Sequence, residues 1–95
     1  MKYSINKQEK YTVLSLEEAN LNSVIAPSLK SELVILRNEG IPNLVLDLSG
    51  VKFVDSSGLS SILTANRLWK DGGMFILTGA TQPHVKKLIE ISRLE

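Results

Sequence analysis

The chain has 95 residues, enough for one domain with a modest core burying roughly 60–65% of its unfolded surface. Its 11 Lys/Arg and 10 Asp/Glu leave a net charge of +1, scattered along the sequence, which argues against the cationic face of a nucleic-acid or anionic-membrane binder. Without cysteine there is no disulfide or thiolate metal site, and no apolar run approaches the ~20 residues of a transmembrane helix or forms a signal peptide, so a cytoplasmic protein is expected.

No repeat, low-complexity segment or linker interrupts the sequence, and residues 1–95 are taken as one domain. Tyr3-Ser4-Ile5-Asn6 alternates as a short strand does, and Tyr11 to Leu16 does so more strongly with β-branched and aromatic residues. Gln8-Glu9-Lys10 between them predicts a hairpin turn. Pro27 suits the first turn of a helix, where its missing N–H costs nothing. Ala26, Leu29, Leu33 and Leu36 then share one face, Gly40 suits the position just past the end, and Pro42 blocks continuation.

Leu44 to Leu48 is apolar on both sides apart from Asp47, the pattern of a central parallel strand covered by helices. A helix is predicted from Ser56 to Asp71, ended by Gly72-Gly73, and Met74 to Thr78 is the next buried strand. Thr81 caps a last helix with Pro83 early in it and Val85, Leu88 and Ile89 as its apolar stripe. The order ββαβαβα gives an α/β fold, a mixed sheet whose central strands are parallel. The chain stops soon after, at Arg93-Leu94-Glu95, where Leu94 has little to pack against; a domain lacking its C-terminal end is expected.

Enzymatic readings find little support. The one histidine, His84, has no Cys, Asp or Glu at ligand or triad spacing and reads as a solvent-facing first-turn residue. Gly72-Gly73 follows a helix instead of preceding one, so it is a turn and not a phosphate loop. Asp47 and Asp55 invite comparison with the Mg²⁺-binding acidic pocket of a receiver domain. That pocket needs several converging carboxylates, and no acidic pair follows an early strand here. Neither a cofactor nor a metal is expected.

The informative segment is Phe53-Val54-Asp55-Ser56-Ser57-Gly58-Leu59, where a strand and turn lead into a helix. Asp55 or Ser56 can accept the first-turn N–H groups as the helix cap. One cap needs one side chain, which leaves Ser57 in the first turn with its hydroxyl to spare. Ser57, Ser60, Ser61, Thr64 and Arg67 follow along one side at helical spacing, with Leu59, Ile62, Leu63 and Trp69 toward the other. Small hydroxyls let another surface approach closely while leaving few charges to desolvate. A phosphate on Ser57 would bring about −1.5 to −2 charges to the positive end of a helix dipole. The fold should tolerate that charge, whereas a docked acidic partner should not.

At these residues the chain resembles the STAS-domain family of bacterial anti-sigma factor antagonists. The likeness covers nearly the whole length, including Leu44–Leu48 with Ser49-Gly50-Val51, the Asp55-Ser56-Ser57-Gly58-Leu59 string, Gly72-Gly73 and Pro83 to Leu88. The resemblance implies a βα superhelix that works by partner switching without being an enzyme. Ser57 corresponds to the serine phosphorylated by an anti-sigma factor that is itself an ATP-dependent serine kinase. The unphosphorylated antagonist binds that kinase and frees the sigma factor, and a phosphatase restores it. The expected partner-binding residues are Asn22, Asp55, Ser56, Gly58, Ser60, Ser61 and Thr64.

Two departures stand out. Asn22 falls in the loop where the family often carries an Asp, and family domains usually continue beyond the last helix predicted here. STAS-like domains also serve as regulatory subunits of membrane transport assemblies, for lipids or anions, and as stress-signalling scaffolds. A stand-alone chain with an intact Asp-Ser-Ser-Gly site favours the antagonist over these and over the receiver-like reading.

Overall fold

The computed structural model describes residues 1–83 and 85–87. Strands β1 (Tyr3–Lys7) and β2 (Thr12–Leu16) form the expected antiparallel hairpin, with Tyr3 opposite Leu16 and Lys7 opposite Thr12. Gln8 N–H donates to Tyr11 O at 2.8 Å and closes its turn. Helix α1 (Ala26–Asn38) follows, burying Ala26, Leu29, Leu33 and Leu36, the four residues that the spacing selects. Gly40 supplies the left-handed conformation that ends it, at φ +83°, which a residue with a Cβ rarely adopts.

Strand β4 (Asn43–Asp47) then lies parallel to β2 on one side and to β6 (Met74–Thr78) on the other. The four-stranded sheet has the order β1-β2-β4-β6, mixed at the hairpin and parallel elsewhere. Helix α2 (Ser56–Trp69) connects β4 to β6 and packs mainly on α1. Leu14, Leu16, Leu44, Leu46 and Leu48 on one face of the sheet join Leu29, Leu33, Leu36, Ile62 and Trp69 of the helices in one apolar cluster. None of the described helices is long and apolar enough to cross a membrane.

Three local expectations change. Strand β4 is fully buried on one side only, because its other face meets the half-buried Val13 and the exposed Ile76 of neighbouring strands instead of a helix. For the same reason β6 is not a buried strand: Met74 is 57% and Ile76 45% exposed. Apolar composition does not separate a strand with one wet face from one enclosed on both. Two further strands of two residues each, β3 (Asn20–Leu21) and β5 (Phe53–Val54), pair in parallel in a small separate sheet.

Past β6, helical geometry is present at Pro83 and again over 85–87. Lys86 N–H donates to Gln82 O, one residue later than a Thr81 cap requires. Val85 is buried in the core cluster. The expectations for His84, Leu88, Ile89 and the 90–95 end fall outside the described residues.

Candidate functional site

The small β3/β5 ladder builds the site. It pairs Asn20 with Phe53 and Leu21 with Val54, and Asp55 N–H continues it by donating to Leu21 O at 3.2 Å. The two chain segments therefore leave the ladder side by side, one through Asn22 toward α1 and the other through Asp55 into α2. Each turns with an acceptor side chain. Asn22 Oδ1 accepts from the Val24 and Ile25 N–H groups at 3.0 and 3.3 Å. Asp55 is the N-cap of α2, with extended backbone and Oδ1 accepting from Gly58 N–H at 2.8 Å. Such caps satisfy N–H groups that a helix start otherwise leaves open.

With Asp55 as the cap, Ser56 and Ser57 occupy the first two helical positions. Ser56 is exposed and Ser57 half-buried, and neither hydroxyl takes part in a hydrogen bond among the described residues. The other hydroxyls of the helix are engaged. Ser61 donates to Gly58 O at 2.6 Å and Thr64 to Ser60 O at 2.9 Å, while Arg67 donates to Thr64 Oγ1 at 3.3 Å. Ser60 accepts from Lys30 Nζ of α1 at 3.1 Å. With Asp55 as the cap, the local geometry presents two spare hydroxyls, Ser56 and Ser57, where one was expected.

Two expected contact residues do not belong to the accessible face. Ser61 is fully buried with Ile62, Ala65 and Trp69, so its hydroxyl is turned into the helix and the core and cannot meet a partner. Gly58 is buried as well. A Cβ placed there would overlap the Leu21 carbonyl, so this glycine lets α2 start hard against β3. Asn22, Asp55, Ser56, Ser60 and Thr64 keep some exposure, and Ser56, Ser57 and Ser60 line a groove of about 280 Å³ between the two helices. Its opposite wall is Ser23, Ala26, Pro27 and Lys30.

Neither Lys30 nor the exposure of Val24 and Phe53 entered the expectations from the sequence. Lys30 stands four residues after Ala26 on the edge of the buried stripe, a position where the stripe calls for an apolar residue; that is the one signal available. Val24, in the turn before α1, is 78% exposed, and Phe53 of β5 is 50% exposed. Asp47, the candidate receiver carboxylate, is a hydrogen-bonded aspartate at the end of β4: Oδ1 accepts from Ser49 N–H at 2.9 Å and Oδ2 from the Ser15 hydroxyl at 3.2 Å. The Ser49 backbone N–H chiefly, with smaller help from the Ser49 and Ser15 side chains, holds its carboxyl below the ordinary 3.8, against an opposing effect of burial that is second in size.

The STAS domain family model matches residues 2–95. The Bordetella bronchiseptica protein named "Putative anti-sigma factor antagonist BtrV" is 31% identical over 93 residues, which are 97% of this chain and 78% of that protein. The crystal structure of an anti-sigma factor antagonist from Mycobacterium paratuberculosis superposes with a TM-score of 0.78 at 26% identity, covering 98% of this chain and 78% of the other. The Bacillus cell fate determinant SpoIIAA, in its phosphorylated form, shares the fold with a TM-score of 0.78 at 19% identity, over 98% of this chain and 85% of its own. An Asp-Ser-Ser-Gly helix start, helices packed on a mixed sheet and a match along almost the whole chain converge on one assignment. This chain belongs to the STAS-domain family, within its group of anti-sigma factor antagonists.

Proposed function

We propose that this protein is an anti-sigma factor antagonist switched by phosphorylation of Ser57. Unphosphorylated, it binds an anti-sigma factor that is also a serine kinase and so releases the sigma factor. The kinase transfers the γ-phosphoryl group of ATP to Ser57: the Oγ–P bond forms as the bond from Pγ to the bridging oxygen breaks, ADP leaves, and the hydroxyl proton passes to a base of the kinase. The product is repelled from the partner, and a phosphatase hydrolyses the ester to restore it. In this reading the chain is a phosphoacceptor and binding module, and the kinase supplies the catalysis.

The observation that carries the proposal is the Ser57 hydroxyl at the second position of α2, half-buried in the groove and, with Asp55 holding the cap, without a hydrogen bond among the described residues. It is reachable at the mouth of a groove, and the helix N-terminus beneath it favours an added anion. The exposed Val24 and Phe53 beside the ladder supply apolar contact area for docking. The fold itself is compatible with the modified state, since SpoIIAA is known phosphorylated in the same architecture.

The test is mass spectrometry of the protein from its host. Cleavage after Lys52 and Arg67 yields one peptide, residues 53–67, that holds every candidate hydroxyl of α2. Fragment ions are expected to place phosphate on Ser57, and Ser57→Ala is expected to remove it. Phosphate on Ser56 or Ser60 instead would overturn the assignment. A Ser57→Asp variant should remain folded and lose affinity for the kinase partner.

A further inference from the structure

Among the described residues, the groove between the helices is lined by one charged side chain. That side chain is Lys30, and its partner is the hydroxyl of Ser60 at 3.1 Å. Among the described residues it makes no ion pair; the salt bridge present joins Lys7 and Glu39 elsewhere. Lys30 is also half-buried and lines the groove beside Ala26 and Pro27 of its own helix. An ammonium has three donors, and the Ser60 hydroxyl uses one. A half-buried cation with a weak partner and spare donors is poised for an anion.

We propose that Lys30 receives the phosphate of phosphorylated Ser57 and so fixes it between α1 and α2. The inference rests on Ser57 being the phosphoacceptor. Ser57 and Ser60 are three residues apart on α2, which brings their Cβ atoms to about 5–6 Å. The ammonium beside Ser60 therefore needs only a rotation of its flexible stem to reach a phosphoryl oxygen. The groove, at about 280 Å³, has room for roughly nine water-sized groups at ~30 Å³ each. A dianionic acceptor also outcompetes a neutral hydroxyl for the same ammonium, because it adds the attraction of a full opposite charge to the hydrogen bond. Asp55, at the cap two residues before Ser57, opposes this attraction, but its Oδ1 faces the Gly58 N–H.

The exchange alters the switch in two ways. It deprives a docked partner of the Lys30 cation, so an acidic group of the partner loses its counter-charge at the moment a like charge appears. It also favours the fully ionised phosphate, whose second pKa otherwise lies near 6, so the charge is complete at neutral pH.

The test installs phosphoserine at position 57 by genetic encoding, in the full chain with Lys30 and in Lys30→Gln and Lys30→Arg backgrounds. Titration by ³¹P NMR reads the second ionisation directly. With Lys30 the pKa is expected about 0.5 or more below that in Lys30→Gln, with Lys30→Arg restoring the lower value. Phosphorylation should also raise the melting temperature more with Lys30 than in Lys30→Gln. Equal pKa values with Lys30 and in Lys30→Gln, with both proteins folded by circular dichroism, would refute the role of Lys30. No kinase enters this measurement, so its outcome is independent of whether the host phosphorylates Ser57.

Discussion

Asp55 and Ser57 are two residues apart and do opposite things. Asp55 holds the start of α2 through Gly58 N–H, whereas the Ser57 hydroxyl makes no hydrogen bond among the described residues. Asp55→Ala should therefore cost about 1 kcal/mol of stability, within the 0.5–2 kcal/mol range of lost caps, while Ser57→Ala should stay within about 0.5 kcal/mol. Urea midpoints of the two variants provide the comparison, and equal losses would mean that Ser57 carries part of the cap. Asp47 contributes differently. Its carboxyl is held below 3.8 in the folded protein by Ser49 and Ser15, so ionised Asp47 stabilises the fold above that pH and ceases to as pH falls through its folded value. The stability difference between the wild type and Asp47→Asn should be present at pH 7 and shrink below pH 3.8. A difference unchanged down to pH 2 would remove the electrostatic account. At this scale the sequence showed the cap and the spare hydroxyl but misjudged Ser61. At about 100° per residue Ser61 lies about 40° from Ser57 and about 40° from Ala65, so spacing leaves it astride the boundary. In the folded protein α2 lies with Ser61 fully buried on its inner side.

Among the elements, the long helices and the main strands were legible because each repeats its apolar period several times. Pro27 and Gly40 also mark the two ends of α1. The β3/β5 ladder was not legible, since two residues show no period and Asn20-Leu21 contains no β-branched side chain. That ladder nonetheless joins the starts of both helices, which is why Asn22 and Asp55 arrive together. Its closeness to α2 depends on Gly58. In Gly58→Ala the methyl group would press on the Leu21 carbonyl, a backbone atom that moves only with the ladder. A loss of about 1–3 kcal/mol is expected from overpacking, together with weaker partner binding as Asn22 and Asp55 separate. Denaturant unfolding gives the first and a binding titration the second; an undisturbed variant would show that the ladder has slack.

The molecule as a whole is a two-layer structure, with both described helices on one side of the sheet. Trp69 secures the end of that layer away from the groove. It is buried, its Nε1–H donates to Ile41 O at 3.0 Å, and the Arg37 guanidinium lies 5.9 Å from its ring centroid. Trp69→Ala should cost about 3–5 kcal/mol, measured by thermal or denaturant unfolding, and a loss under 1 kcal/mol would contradict its placement in the core. The layering was the part of the whole molecule that the sequence concealed, because Val45 and Ile76 are as apolar as the leucines that turn inward. One consequence is practical. The hydroxyl groove lies between helices, whereas Ser4 on β1 shares the opposite sheet face with Ser15 and Asp47. Because the chain has no cysteine, Ser4→Cys creates a single thiol on the reverse side, where a fluorophore can report rotational slowing as a partner docks without standing in its way.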